Sequence, residues 1–187
     1  MGIEYSLFRR IDKENLTCLN ERQDGSGKTI FKPWEERVVM DTVVESDVDE
    51  ELLFNIPFTG NVKLKGIIIV APDDDSHPGR MRLFKNRPHM TFDDCRGEAV
   101  QEYELHRDPT GLLEYPTKVV SFSSVHHLTI HFPTNFGTDC TQVCYIGLRG
   151  EWTPAARQEI AITNYELRPN LSDHPTRIWE QASREVQ

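Results

Sequence analysis

Several features that mark large functional classes are missing from this 187-residue sequence. No apolar run approaches the roughly 20 residues that a membrane-spanning helix needs. The longest such run, Ile67 to Ala71, has the length of a strand. The start of the chain, Met1-Gly-Ile-Glu-Tyr5, lacks the basic and apolar regions of a secretory signal. We therefore expect a protein that neither spans a membrane nor enters the secretory pathway.

Basic residues are also scarce, since 21 Lys and Arg stand against 30 Asp and Glu and give a formal charge of −9. This excess of acids opposes attraction to phosphate backbones and to anionic lipid. We therefore expect no nucleic-acid partner and no membrane partner. Met1-Gly2 together with Ser6 fits the myristoylation pattern, but a pattern this short does not decide whether the N-terminus is modified.

Cysteines are few and scattered, at positions 18, 95, 140 and 144. Their spacing predicts reduced thiols rather than a disulfide framework. The Gly-x-Ser-x-Gly element that presents a nucleophile in many hydrolases is missing as well. We expect no enzyme and no catalytic residues. A hydrolase remains the third hypothesis, because two carboxylates across a cleft would leave no spacing signature.

Three histidines, His126, His127 and His131, raise the question of a zinc site. On a strand, His127 and His131 share a face but lie about 13 Å apart, while His126 points to the opposite face. Zinc requires each ligand within ~2.1 Å of one ion. The acidic segment 47–51 resembles the start of a calcium loop, but Leu52 stands where that loop needs glycine. We therefore predict no metal and no other cofactor.

From Leu52 onward the chain shows a two-residue apolar period, which is typical of half-buried strands. The strand candidates are 52–58, 62–70, 80–83, 102–106, 119–122, 126–132, 144–148 and 160–165. Turn residues predict turns at 59–61, 108–111, 123–124, 135–137 and 153–154, and a loop at 72–79. Because no long helical segments separate the strands, the pattern predicts an all-β fold, an antiparallel β-sandwich or jelly roll, and opposes a parallel α/β sheet.

The two ends of the chain follow other patterns. A short N-terminal helix is predicted because four apolar residues share one helical face: Ile3, Leu7, Phe8 and Ile11. Residues 18–44 show no sustained period and are predicted to form an irregular arm, which Phe31 and Trp34 can anchor. We predict a β-sandwich domain with its arm over residues 1–165 and a flexible tail over residues 166–187.

Charge is distributed unevenly along the chain. Residues 41–51 hold six acids and no base, whereas residues 80–90 hold four bases and no acid. Such runs are ordinary on solvated loops and protected edge strands, but they also orient protein partners. Ser46 or Asp47 could instead cap a turn before the Leu52 strand. The candidate partner-binding residues are Glu45, Asp47, Asp49, Glu50, Glu51, Arg80 and Arg82.

Several motifs resemble the PITH domain, the proteasome-interacting thioredoxin module. They are Cys18-Leu-Asn-Glu21, Phe31-Lys-Pro-Trp-Glu-Glu-Arg37, Glu45-Ser-Asp-Val-Asp-Glu-Glu-Leu-Leu53, Phe58-x3-Val62-Lys-Leu-Lys-Gly66, Tyr145-Ile-Gly-Leu-Arg-Gly150 and Asn164-Tyr165. The resemblance runs from about Tyr5 to Tyr165. Its second motif is similar to the stand-alone branch, the PITH domain-containing proteins.

The resemblance implies a galactose-binding-like jelly roll, akin to the DOC domain of the anaphase-promoting complex. It implies association with the 26S proteasome, a cytoplasmic and also a nuclear location, and no catalytic residues. We expect a monomer. No Cys-x-x-Cys pair accompanies the match, so disulfide reductase activity is not implied. The alternative function is a glycan- or small-ligand-binding jelly roll in the cytosol.

Overall fold

The structure, a computed structural model, describes residues 2–155. Two predicted features, the strand at 160–165 and the flexible tail at 166–187, lie outside these residues. Within them, the strands are β1 (Thr17–Leu19), β2 (Val44–Glu45), β3 (Leu52–Val70), β4 (Arg80–Lys85), β5 (Gln101–Glu104), β6 (Glu114–Pro116), β7 (Val125–Phe132), β8 (Gln142–Val143) and β9 (Tyr145–Pro154). The helices are one short α-helix, α1 (Ser26–Thr29), and 3-10 helices at Gly2–Arg10, Trp34–Glu36 and Asp94–Arg96.

The strand β3 organises the sheet because its two halves pair with different neighbours. Its first half lies between β1 and β7, and β4 and β5 continue that layer in the order β1-β3-β7-β4-β5. Its second half pairs with β9 along one edge and with β6 along the other. The short strands β2 and β8 pair separately. All of these pairs are antiparallel, so the predicted all-β antiparallel sandwich is confirmed.

The turn predicted at 59–61 is wrong, since β3 continues through it. The pairing with β7 runs to Pro57 and shifts register before Val62, while the pairing with β9 begins at Gly60. An added Cβ at Gly60 would lie 2.4 Å from the carbonyl oxygen of Thr153. This glycine therefore permits close approach of two strands. The turn predicted at 153–154 is wrong for the same reason, because those residues pair with β3.

The strand predicted at 119–122 is also wrong, because this segment is a turn. The backbone N–H groups of Ser121 and Phe122 both donate to the carbonyl oxygen of Lys118, at 2.9 and 3.0 Å. Phe122 is buried, whereas Val120 is 91% exposed. The apolar residues of this segment resemble those of a strand in sequence, but only Phe122 of the two is buried, and the segment pairs with no other strand among the described residues.

The central core lies between the two layers, and β3 contributes to it along its whole length. Phe54 and Ile56 enter this core from the first half, and Leu64 and Ile67 enter it from the second. Leu64 and Ile67 face the same core although they are three positions apart, because a register shift between Leu64 and Gly66 moves each later side chain to the other face of the strand. Residues on the outer face of the second half are buried under the N-terminal arm.

The arm is more regular than predicted, because it contains β1, α1 and β2, but its predicted anchors are confirmed. Phe31 is fully buried, and its ring meets the edge of Phe54 with centroids 6.1 Å apart. Trp34 stacks on Tyr5 with centroids 4.7 Å apart. The predicted N-terminal helix is a 3-10 helix over Gly2–Arg10 with a kink at Tyr5.

We expect Gly60→Ala to lower the free energy of unfolding by about 1–3 kcal/mol, because the new methyl group would collide with β9. Gly97→Ala is the matched control, since the nearest atom to its added Cβ lies 3.5 Å away. This variant should have a free energy of unfolding within about 0.5 kcal/mol of wild type. Urea denaturation of both variants measures the difference. Equal stabilities would show that the strand contact at Gly60 is not tight.

Candidate partner-binding surface

The acidic loop, residues 45–51, lies before β3 and is fixed against the segment before β8. The buried Ser46 donates its N–H to the carbonyl oxygen of Thr141 at 3.0 Å and accepts the Thr141 N–H on Oγ at 2.8 Å. Thr141 Oγ1 donates to the carbonyl oxygen of Glu50 at 2.6 Å. Ser46 therefore has a structural role, although it holds a neighbouring segment instead of capping its own turn.

Asn20 determines the shape of the acidic loop, and the sequence analysis did not single it out. Its Nδ2 donates to Asp49 Oδ1 at 2.8 Å and to the carbonyl oxygen of Glu51 at 2.7 Å. Its Oδ1 accepts the N–H of Val48 at 3.1 Å, and its carbonyl oxygen accepts the N–H of Asp47 at 2.9 Å. Asn20 has a φ of +67°, a backbone region that asparagine adopts more readily than most residues.

Most of the five candidate acids in this loop have partners within the fold. Glu45 forms an ion pair with Arg22, with 2.5 Å between Oε1 and NH1. Asp49 Oδ1 also accepts the N–H of Glu51 at 3.0 Å. Asp47 lies 3.8 Å from Arg22 and is exposed. The Glu50 carboxylate, on a half-buried residue, has no ion pair within residues 2–155, so Asp47 and Glu50 are the acids that the fold engages least.

The fifth acid, Glu51, contacts a buried histidine on β7. Its Oε2 lies 3.3 Å from Nε2 of His131, whose other ring nitrogen has no hydrogen-bond partner among the described residues. Burial lowers the pKa of His131, and the Glu51 carboxylate opposes that shift. The guanidinium of Arg82 lies nearby and also disfavours the charged imidazole. Glu51, directly before β3, is therefore partly engaged by β7, although 38% of its side chain stays exposed.

The two candidate arginines differ in their surroundings. Arg82 donates to Glu102 at 2.7 Å and to the carbonyl oxygens of Gly97, at 2.7 Å, and Cys95. These contacts hold its guanidinium against the fold. Arg80 is exposed at the start of β4 and lines a cleft near the acidic loop.

Two clefts share the segment Thr134-Asn135. The first has a volume of about 520 Å³ and lies between the acidic loop and residues 137–139. The second has a volume of about 330 Å³, and its lining includes Arg80, Glu104, His106 and Phe136. The structure therefore places the acidic loop and Arg80 on the two sides of one loop, whereas Arg82 lines neither cleft.

The cysteines show no activated thiol. Burial raises the pKa of Cys95 and Cys144 to about 11 and also raises that of Cys18. These three thiols stay protonated at neutral pH, which makes them poor nucleophiles and poor metal ligands.

The histidines are arranged differently from the sequence expectation. His126 and His127 were expected on opposite faces, but their Nδ1 atoms lie 3.0 Å apart at the start of β7. Within residues 2–155, no three His, Cys, Asp or Glu side chains converge as ligands of one metal ion would. No helix in that part of the chain is long and apolar enough to cross a bilayer.

Comparison with known sequences gives matches along most of the chain. A family model described as PITH domain matches residues 1–169. A PITH domain-containing protein of Drosophila pseudoobscura is 59% identical over 187 residues, which cover 100% of this chain and 89% of that protein. PITH domain-containing protein 1 of Homo sapiens is 61% identical over 173 residues, which cover 92% of this chain and 82% of that protein.

Comparison with solved structures supports the jelly-roll fold. The C-terminal domain of a chitobiase from Bacteroides fragilis gives a TM-score of 0.51 at 13% identity and covers 77% of this chain and 99% of that domain. The family 32 CBM of NanJ from Clostridium perfringens, solved in complex with galactose, also gives 0.51, at 11% identity, and covers 74% of this chain and 97% of that module. At these identities the likeness establishes the fold, and the predicted galactose-binding-like jelly roll is confirmed.

We expect Asn20→Gly to loosen the acidic loop. Glycine keeps the positive φ, so the variant removes the side-chain hydrogen bonds alone and should cost about 1–2 kcal/mol of stability. Hydrogen exchange of the Val48 amide should accelerate, because its acceptor is lost. Asn86→Gly is the matched control, because Asn86 also has a positive φ but lies outside the acidic loop. This variant should leave the hydrogen exchange rate of the Val48 amide unchanged.

We expect His131 to make stability pH-dependent. Because burial lowers its pKa in the folded state, the unfolded chain binds a proton first as the pH falls below about 6.5. The stability that neutral His131 contributes is complete above that pH and is lost as the pH falls toward the lowered folded-state value. His131→Gln, which cannot titrate, should show a smaller loss of stability between pH 7.5 and 5.5 in urea denaturation. An identical loss in both proteins would contradict this assignment.

Proposed function

This chain belongs to the PITH domain family, and we propose that it is a non-catalytic protein-interaction module that binds the 26S proteasome. Family membership supports a role in protein binding, and the expanded family name, proteasome-interacting thioredoxin, indicates the assembly. We propose that it acts as a monomer in the cytoplasm and the nucleus. The proposal assigns no catalytic step, which agrees with thiols whose pKa burial has raised.

The acidic loop is the contact surface that the geometry supports best. Val48 is 84% exposed and is flanked by Asp47 and, two positions on, by Glu50. Asn20 and Ser46 hold the backbone of this loop in one shape. A preorganised loop loses little conformational entropy when it binds, and its carboxylates favour a basic surface on the partner. These three side chains, carried by a hydrogen-bonded loop backbone, are the observation that carries the proposal.

A glycan-binding function is the second candidate, and the cleft beside Phe136 favours it. The ring is 41% exposed and shares the cleft with Arg80, Glu104 and His106, which supply charged and hydrogen-bonding groups. The likeness to a module solved with galactose adds only a shared fold. A glycan-array signal that Phe136→Ala abolishes would favour this candidate over proteasome binding.

We expect the double variant Asp47→Lys/Glu50→Lys to weaken capture of purified 26S proteasome about tenfold at low salt, because it replaces attraction with repulsion. Surface plasmon resonance on immobilised protein measures the change. Asp47 is exposed and pairs only loosely with Arg22, at 3.8 Å, and the half-buried Glu50 has no ion pair within residues 2–155, so the free energy of unfolding should change by less than about 1 kcal/mol.

The matched control is Asp93→Lys/Glu98→Lys, which makes the same change in net charge at two exposed acids outside the acidic loop. It should retain capture within about twofold of wild type if the effect is local. If both variants lost capture equally, overall net charge would explain the effect, and the acidic loop would have no specific role. Full capture by the acidic-loop variant would remove this loop from the interface, and no capture by wild type would end the proteasome proposal.

A further inference from the structure

Two neighbouring loops display five apolar side chains to solvent. Leu112 is 74% exposed, and the others are 37% to 48% exposed. The five residues, called the apolar patch below, are Val38, Val39, Met40, Leu112 and Leu113. None of them lines either cleft beside the acidic loop. Apolar side chains gathered on a surface mark an interaction site more often than apolar residues scattered singly.

A buried lysine fixes the first loop of the apolar patch. Lys32 is only 8% exposed, and its Nζ donates to the carbonyl oxygen of Val39 at 2.6 Å and to Thr42 Oγ1 at 2.9 Å. Burying an ammonium group is costly unless hydrogen bonds compensate it. The backbone that carries Val38 to Met40 is therefore tied to the body of the protein, although its side chains face solvent.

A buried aspartate fixes the second loop in the same way. Asp108 is 7% exposed, and its Oδ1 accepts the N–H groups of Thr110 and Gly111 at 3.0 and 2.9 Å. Its Oδ2 accepts the N–H of Leu113 at 2.7 Å. Gly111 has a φ of +71°, which completes the turn. Leu112 directly follows this turn and is held between two residues whose N–H groups bind the buried carboxylate.

Arg37 joins the two loops into one surface. Its Nε donates to the carbonyl oxygen of Thr110 at 3.1 Å, and its guanidinium lies 4.1 Å from the centre of the Trp34 ring. An added Cβ at Gly111 would lie 3.1 Å from Arg37 Cδ, which shows how closely the loops approach. Val38 follows Arg37 in the chain and Leu112 follows Gly111, so the two loops are adjacent at the point where each begins to display its apolar side chains.

We propose that the apolar patch is a docking site for an amphipathic segment of a partner protein whose apolar side chains are flanked by Lys or Arg. Three exposed acids adjoin the first loop: Glu35, Glu36 and Asp41. They favour a basic partner. A second copy of this chain is a poor occupant, since a two-fold contact would bring the same three acids together. This site goes beyond the acidic loop and does not depend on the proteasome proposal.

The probe is a synthetic helical peptide of Leu and Lys with one apolar face, and its Glu-for-Lys counterpart is the charge control. Titration into the isotope-labelled full chain should shift amides at residues 38–40 and 110–113. Leu112→Ser and Val39→Ser should each weaken binding about tenfold or more. Val120→Ser is the matched control, because Val120 is equally apolar and more exposed but lies in the 119–122 turn, and it should change affinity less than about twofold.

Each alternative has its own signature in this experiment. Shifts confined to the acidic loop, or equal binding of the Glu peptide, would overturn the proposal. Sedimentation velocity that shows a dimer lost in Leu112→Ser would assign the apolar patch to a second copy. Amide shifts of residues 156–187 caused by Leu112→Ser without peptide would assign it to the chain itself. Each of the last two outcomes also overturns the proposal.

Discussion

The structure depends on the passage of one strand through both layers of the sandwich. A strand that leaves one sheet must find new backbone partners at once, because an unpaired buried N–H or C=O is costly. Pro57, which has no N–H, lies at the last pair before the register shift with β7, and Gly60 lets β9 approach immediately afterwards. Val62 pairs with both β7 and β9. Because β3 changes layers midway, its first and last residues lie at the same end of the sandwich. At that end Val70 pairs with Tyr145, and β8 pairs with β2, which leads into the acidic loop.

This passage explains which parts of the fold could be predicted from sequence. The two-residue period at the start of β3 predicted its core-facing side, because that half has one face toward the central core. The apolar run at 67–70 predicted a strand, and the structure buries both of its faces, the outer one under the N-terminal arm. Gly60 was misread because a glycine signals a turn and a close approach equally well. Only the position of β9, almost 100 residues later in the chain, separates these two meanings.

The sequence predicted which residues the candidate site contains, but not which contacts each of them makes. The run of acids at 41–51 indicated a charged loop, but the chain positions that decide each acid's role are distant from it. Asn20 and Arg22 engage Asp49 and Glu45 from an earlier strand connection, and His131 engages Glu51 from β7. The Cys18-Leu-Asn-Glu21 motif contained the signal for Asn20. A motif names the residue but does not say which backbone groups its side chain binds.

Buried polar groups give this end of the protein its defined shape, and they constrain how it can bind. Lys32, Asp108 and Ser46 each use the interior to hold a loop whose tip faces solvent. The hydrogen bonds of such groups add little net stability, but a loop conformation that left a buried group without them would be costly. Each loop is therefore restricted to one conformation. The acidic loop and the apolar patch are therefore presented by one compact unit. A partner assembly that offers a basic segment to each would bind the second intramolecularly, so two weak contacts would combine into a strong one without any rearrangement of the sandwich.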